Sequence, residues 1–419
     1  MSIPIHELTD RVERPMLELL VDANATSAAA RNAWLFFMAL LTYFLIALAG
    51  VSHKDLLLES AIELPLLQVK IPQRSLFLFG PLILVLVHFG LLLQHVMLAR
   101  KLRDFHARVT HHEGQGSFRQ HRFRVQLHSY TYAQAIAGPY RSPLLGGFLH
   151  AMTWVTLGLL PLLVLLDFQV TYLPYHDALV TTLHRAYVAL DFLVLLIFGV
   201  FLRFPDKGFF AGLRANLTQH PANFFITLVV AVLALIFSFL IATIPDEPLD
   251  RFAAKLMPAP VPLGTPSSQT KRTAFWPTAY LFDGDINDIE GRSESIFSRN
   301  LVVINQVLVA PVQPEPDDGS ISLRGRDLKY ASFDRSDLRR ADMTGADLTG
   351  ASMVQTGLIK VRMNKAKLRN VDFRNAAIVS VFMRGADVEG AKVCADQRNL
   401  FILGNDDAVK ALVREACSK

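Results

Sequence analysis

A period of five residues runs through positions 321–393, and it constrains the fold of that stretch more than any other feature of the chain. Every fifth residue is large and apolar: Leu323, Leu328, Phe333, Leu338, Met343, Leu348, Met353, Leu358, Met363, Leu368, Phe373, Ile378, Met383, Val388 and Val393. Two places before most of them stands a small residue, as in Ala331, Ser336, Ala341, Ala346 and Ala351, with polar residues between. A helix needs apolar residues at i, i+3, i+4 and i+7, and a strand needs alternation, so neither fits a period of five. The unit must therefore turn a corner each time. Four units closing one coil would stack residues twenty apart, giving the column Leu323, Met343, Met363, Met383 and three others of like on like. Fixed-period repeats build their core by stacking on neighbours and need caps at their ends.

The stretches ADMTG and ADLTG within 341–350 resemble the A(D/N)Lxx units of pentapeptide-repeat proteins. That resemblance implies a right-handed quadrilateral β-helix over 321–393. At about 4.8 Å per layer, fifteen units would give a rod roughly 18 Å long. Upstream, Leu301–Val309 reads as a strand able to join or cap the first coil. Downstream, Asn405-Asp406-Asp407 is an N-cap cluster before AVKALVREAC, so the pattern predicts a C-terminal capping helix within 394–419. Cys394 and Cys417 are the two cysteines of the chain; they could bridge and pin that cap, or remain buried thiols.

Apolar content of 52%, with 29 Phe, is too high for an ordinary soluble chain, and the excess lies before the repeat. Residues 1–32 are polar and read as helical around Glu7–Ala23. They lack the short basic start of a signal peptide, so they are expected to stay on the mature protein. Five apolar segments follow in 33–244, at 33–51, 76–98, 148–166, 186–202 and 224–244, each long enough to cross a bilayer as a helix. Their stretches GPLILVLVHFGLLLQHVMLARKL and LPYHDALVTTLHRAYVALDFLVLL resemble the N-terminal region of bacterial membrane-bound pentapeptide-repeat proteins, which implies an inner-membrane protein. Residues 245–320 form a Pro-rich connector and N-terminal cap.

Orientation follows from Lys and Arg in the flanks. Residues 1–32, 99–147 and 203–222 carry three, eight and three, whereas 52–74 and 168–185 carry three and one. The N-terminus and the basic loop are thus expected in the cytoplasm, and five spans place the repeat in the periplasm. The basic loop reads as a surface for lipid headgroups. His106, His111, His112, His121 and His128 are spread through it without a ligand geometry.

Chemistry-bearing residues are few. His88, His95 and His150 could hold a haem if two imidazoles faced each other across the bundle. The blander reading is interhelical hydrogen bonding, with no cofactor. Asp191 lies inside the fourth apolar segment with His184 two turns earlier, which reads as a structural pair or as part of an ion or proton path. No phosphate-binding Gly loop, HExxH, GxSxG or CxxC occurs.

The repeat holds fourteen Lys or Arg against eight Asp or Glu, which argues against mimicry of DNA. The pI near 9.2 is accounted for by the basic loop and the repeat, so nucleic acid need not be invoked. Val379 and Phe382 break the polar outer pattern and mark a patch for a partner or for the capping segment. The expected function is a non-catalytic scaffold or accessory subunit presenting the repeat to another protein, the cell wall or a membrane complex. A haem-binding electron carrier and an ion-translocating component through Asp191 are the alternatives.

Overall fold

Hydropathy makes the first division of the chain. In the computed structural model, which describes residues 5–63, 69–113, 120–139, 142–219, 221–258, 275–287, 289–308, 321–394, 401–402 and 413–415, five helices are long and apolar enough to cross a membrane. They run Met16–Ala49, Gln73–His111, Pro143–Tyr175, Ala178–Arg203 and Phe224–Ile241. Apolar side chains such as Phe36, Leu86, Ile226 and Leu233 stay exposed along them, as lipid-facing side chains do.

The helices are α1 (Ile5–Ala49), α2 (His53–Leu58), α3 (Gln73–Glu113), α4 (Gln120–Val125), α5 (Thr131–Ala137), α6 (Pro143–Trp154), α7 (Leu160–Tyr172), α8 (Ala178–Arg203), α9 (Phe209–Gln219), α10 (Pro221–Ile236), α11 (Pro248–Leu256) and α12 (Trp276–Phe282). α1 joins the polar N-terminal segment to the first span without a break, and α3 carries the second span on into the basic stretch as far as Glu113. That stretch is therefore helical in part. Its Arg124 is buried, donating to the Ala137 carbonyl and to Thr110 Oγ1.

Two π-turns interrupt the spans, Val155–Leu159 between α6 and α7 and Phe237–Ile241 after α10. The first has a covalent cause. Pro161 has no N–H to give the carbonyl of Leu157, and the Leu160 N–H instead reaches five residues back to Val155.

The chain divides into two compact units. One comprises Met1–Ala49, Leu78–Asp167 and Ala186–Leu235; the other comprises Gly50–Phe77, Phe168–Arg185 and Ile236–Lys419.

In the second unit the five-residue period becomes a coil that returns every twenty residues. Parallel bridges join Ser322 to Asp342, Asp327 to Asp347, Asp342 to Arg362, Asp347 to Lys367 and Ser352 to Asp372. All fifteen column residues are buried to within 3%. Extended ladders are few. Short pairs β1 (Ile62–Glu63) with β2 (Lys70–Ile71) and β3 (Ile286–Asn287) with β4 (Arg292–Ser293) lie outside the coil, both antiparallel. Within it, β5 (Gly357–Ile359) pairs in parallel with β6 (Ala377–Val379), beside β7 (Val381–Phe382) and β8 (Lys392–Cys394).

The corners explain the polar residues of the repeat. Every fifth residue from Gly325 to Gly390 has positive φ, and non-glycines such as Tyr330, Arg335, Lys360 and Ser380 adopt it as well as Gly345 and Gly350. Ahead of six of these corners an Asp accepts from the backbone N–H two residues on, Asp327 from Lys329, Asp337 from Arg339, Asp342 from Thr344, Asp347 from Thr349, Asp372 from Arg374 and Asp387 from Glu389. The Asp of the unit is thus a corner staple, and the left-handed strain at non-glycine corners is offset by the coil's bridges.

The coil takes in residues on both sides of 321–393, upstream at the segment expected to join or cap it. Val302 bridges Ser332 and Val307 bridges Asp337, with Val303 and Leu308 buried and Asn305 repeating the left-handed corner. Residues 309–320 lie outside the described residues. At the other end, β9 (Phe401–Ile402) pairs with β7 in the same twenty-residue register, and β10 (Val413–Glu415) pairs in parallel with β8. The expected capping helix is thereby corrected, because Val413–Glu415 is strand. The unpaired edge of the last coil offers ladder partners that an isolated amphipathic helix does not satisfy. Asn405-Asp406-Asp407 lies outside the described residues.

Candidate functional site

Within a membrane span a backbone carbonyl without a helical donor is costly, so prolines in the spans are where polar side chains should gather. Pro161 frees the carbonyl of Leu157, and His88 Nε2 on α3 donates to it at 2.9 Å. Pro81 frees the carbonyl of Phe77, four residues earlier on the same helix, and His184 Nε2 on α8 donates to it at 2.7 Å. Each histidine replaces the hydrogen bond that a proline removed.

The other nitrogen distinguishes them. His88 Nδ1 lies 2.7 Å from Asp191 Oδ1, and both side chains are fully buried. With Nε2 committed as a donor, a single proton lies between Nδ1 and Oδ1. Written as imidazolium and carboxylate or as imidazole and carboxylic acid, the pair is neutral overall. Among the described residues Asp191 Oδ2 has no hydrogen-bond partner, and Phe37 stacks on the imidazole at 5.1 Å. His184 Nδ1, by contrast, has no hydrogen-bond partner among the described residues. The expectation that Asp191 belongs with His184 is corrected, since Asp191 belongs with His88.

The candidate haem histidines are each hydrogen-bonded to protein groups. His95 Nδ1 meets the carbonyl of Leu91 and its Nε2 meets the Tyr130 hydroxyl at 2.7 Å. His150 Nδ1 meets the carbonyl of Gly146. Both nitrogens of His88 and of His95 are taken, so neither ring offers a free nitrogen to an iron. Among the described residues, no three His, Cys, Asp or Glu side chains gather as a metal site.

The second π-turn gathers polar groups in the same way. Gln169 Nε2 donates to the carbonyls of Ser238 and Ala242, Ser238 Oγ donates back to Gln169 Oε1, and Arg185 Nε reaches Ser238 O while its guanidinium pairs with Glu247.

Beside this lies a buried charge network that the sequence did not reveal. Arg299 is fully buried. Its Nε and Nη2 fork onto Asp283 at 2.8 and 2.6 Å, and Nη1 reaches Asp250 at 2.9 Å. Burial alone would lower the guanidinium's pKa, but the two carboxylates raise it, so the charge is held firmly. His176 Nε2 donates to the main-chain carbonyl of Arg299, and its Nδ1 approaches Asp327 of the coil at 3.5 Å, an ion-pair distance rather than a good hydrogen bond. Burial would raise the Asp327 carboxyl; His176 and Lys329 outweigh it and hold it down at about 2.

The same coil turn is fastened at three more points. Arg326 lies 4.0 Å over the Tyr175 ring and reaches Glu59 at 3.1 Å, the Tyr330 hydroxyl donates to Asp246, and the Val302 N–H donates to His53 Nδ1 at 2.9 Å. Burial pushes His53 down to about 4.

At the far turns, Val379 and Phe382 remain 52% and 40% exposed, although the main chain of Phe382 pairs with Ile402 of β9. Cys394 is buried and disulfide-bonded; Cys417 lies outside the described residues.

Comparison with known proteins bears on the coil. Residues 321–355 match the pentapeptide-repeat family in eight copies. Among solved structures, the chain is similar to a pentapeptide repeat protein of the Arabidopsis thaliana thylakoid lumen, at 30% identity over 21% of this chain and 55% of that one, TM-score 0.19. It is also similar to one from Nostoc Pcc 7120, at 24% identity over 26% and 80%, TM-score 0.21. A third, from the cyanobacterium Cyanothece 51142, matches at 17% identity over 22% and 74%, TM-score 0.16. The chain thus spans about half the length of the Arabidopsis protein. No curated protein sequence matches the chain.

Proposed function

We propose that this chain is a non-catalytic scaffold of the bacterial inner membrane, which holds a pentapeptide-repeat coil out for another protein to bind. The finer description of that coil, a right-handed quadrilateral β-helix, belongs to the same reading, as do a cytoplasmic N-terminus and a periplasmic coil. Pentapeptide repeats are generally protein-interaction modules, and the coil here is joined to five helices apolar enough to span a membrane.

The observation that carries the reading is the unequal treatment of the coil's turns. The first described turn, with Arg326, Asp327 and Tyr330, is clamped by partners from elsewhere in the chain, while the later turns expose Val379 and Phe382. A fastened base and an apolar outer patch are what a presented surface needs.

The test is a native mass spectrum of the full chain extracted from its host in a mild detergent. A defined second protein that is lost when Val379 and Phe382 are both changed to Asp supports the scaffold. A bare monomer before and after the change, from membranes crosslinked beforehand, sinks it. A second reading, an ion or proton path through Asp191, is favoured by one observation, the buried Oδ2 without a partner. Proton uptake by reconstituted vesicles, abolished by Asp191→Asn, would support that reading.

A further inference from the structure

The fifth span is followed within seven residues by α11, whose sequence PLDRFAAKL has three faces rather than two. Asp250, Ala253 and Ala254 are buried. Phe252 and Leu256, four apart and therefore on one flank, are 54% and 59% exposed. Arg251 and Lys255, also four apart, lie exposed on the other flank.

α12 adds to the apolar flank. The Trp276 N–H donates to the carbonyl of Met257, and Pro258 bridges Phe275, so the two helices close as a hairpin. Trp276 and Tyr280 stack along α12 and stay 46% and 65% exposed, beside Met257 at 50%. Five large apolar side chains of one small hairpin thus stay exposed among the described residues.

The hairpin is fixed to the end of the span. Both α11 and α12 pack on the π-turn Phe237–Ile241. Thr278 Oγ1 donates to the carbonyl of Ile241 at 3.0 Å, and Phe282 meets Phe237.

We infer that this hairpin lies in the interfacial layer of the bilayer, with Phe252, Leu256 and Trp276 among the upper acyl chains and Arg251 and Lys255 toward anionic headgroups. The chemistry selects lipid over a folded protein. Trp and Tyr favour the level where an apolar ring body and a polar edge are both satisfied. An amphipathic helix with a basic flank and Phe and Leu opposite is the form that lies on a membrane. Continuity with the span's last turn supplies the location. The hairpin then acts as a collar that fixes where the chain leaves the bilayer before the coil begins. The inference rests on the reading that the apolar helices cross a bilayer.

The chain's three tryptophans, Trp34, Trp154 and Trp276, allow both readings to be tested apart. Full-length protein is placed in nanodiscs of zwitterionic and anionic phospholipid, keeping one Trp and changing the other two to Phe. The lipids carry a spin label near the headgroup or near the chain end. Trp276 should lose more emission to the shallow label than to the deep one and resist acrylamide. The loss should grow with anionic lipid, and Arg251→Gln with Lys255→Gln should remove that growth. Trp154, exposed on the third span, should be quenched by lipid in any case.

If Trp154 is quenched and Trp276 is reached only by acrylamide, the hairpin faces water and the inference falls while the membrane reading stands. A Trp276 shielded from both means a protein cover, including one from residues 259–274, and also overturns it. Quenching of neither Trp by lipid overturns the membrane reading itself. Should the double Phe variant fail to fold, Trp276→Phe in the native chain yields the same quantity by difference.

Discussion

His88 and His184 perform the same repair in different company. Each donates Nε2–H to a carbonyl that a proline four residues later left without a partner, Leu157 by Pro161 and Phe77 by Pro81. His184 does nothing further with its second nitrogen, whereas His88 shares a proton with a fully buried Asp191. One histidine patches a backbone defect; the other also neutralises a carboxylate. The difference teaches that a polar residue in a span is explained only when all its nitrogens and oxygens are accounted for, since the patch at Phe77 needs no acid and the centre at Leu157 has one.

The comparison predicts unequal costs. His88→Leu strands both the Leu157 carbonyl and Asp191, and removing one partner of a buried charged pair costs about 3–5 kcal/mol. His184→Leu strands one carbonyl, worth about 1–3 kcal/mol. Thermal midpoints of the two variants in the same detergent give the ranking, and equal losses would mean Asp191 needs no counterpart.

A third imidazole extends the contrast to pH. His53 is an acceptor, taking the Val302 N–H at Nδ1, so protonation destroys its bond where it would leave a donor's intact. Its folded-state value is depressed to about 4 from an ordinary value near 6.5. The stabilisation is therefore present above pH 6.5 and is lost as the pH falls toward 4. The full shift corresponds to about 3 kcal/mol, less to the extent that water reaches the partly exposed ring. Denaturant midpoints between pH 7 and 4 should fall for the native chain and stay flatter for His53→Asn, whose side-chain oxygen keeps the bond; parallel curves would reject this role. Asp327, held near 2 in the fold, loses its contribution only below that window.

The prolines allow a rescue. Pro81→Ala restores an N–H for Phe77, so it should recover nearly all the stability lost in His184→Leu. Pro161→Ala should recover only the carbonyl's share of the His88→Leu loss, roughly 1–2 kcal/mol, because Asp191 is left alone. Double-mutant cycles read this directly, and full rescue in both cases would erase the distinction between the sites.

Much of the coil was legible from the period alone, because a stacked column allows one register and all fifteen of its apolar residues are buried. The extra turns were less so. Leu301–Val309 is legible as a segment able to join the first coil, although the interruption at 309–320 hides that Val303 and Leu308 continue the five-residue spacing. The strand at Val413–Glu415 was hidden because its pattern suits a helix, and only the waiting edge of β8 decides otherwise. In the spans, the presence of five long apolar helices followed from hydropathy but their ends did not, since α1 and α3 run on into polar sequence, and the partner of Asp191 did not, since His88 is 103 residues away. Pro81 and Pro161 were the available signal. Each announces an unpaired carbonyl at a known residue, and a buried donor must come to it. The Arg299 cluster had no such signal, because Asp250, Asp283 and Arg299 converge only through the folding of the connector.

The smallest effect is the most informative about the proton at the Leu157 centre. Asp191→Asn keeps the shape and can donate its amide N–H to His88 Nδ1, leaving Nε2–H on the Leu157 carbonyl. If the proton sits mainly on Asp191, the variant reproduces the native donor pattern and should cost about 1 kcal/mol or less, the scale of a neutral hydrogen bond. The infrared spectrum of the native protein should then show a protonated carboxyl band that Asp191→Asn removes. If the proton sits mainly on His88, the variant loses a buried ion pair, its cost approaches that of His88→Leu, and no such band is present. In either case His184→Leu leaves the band region unchanged, because that histidine has no acid to share a proton with.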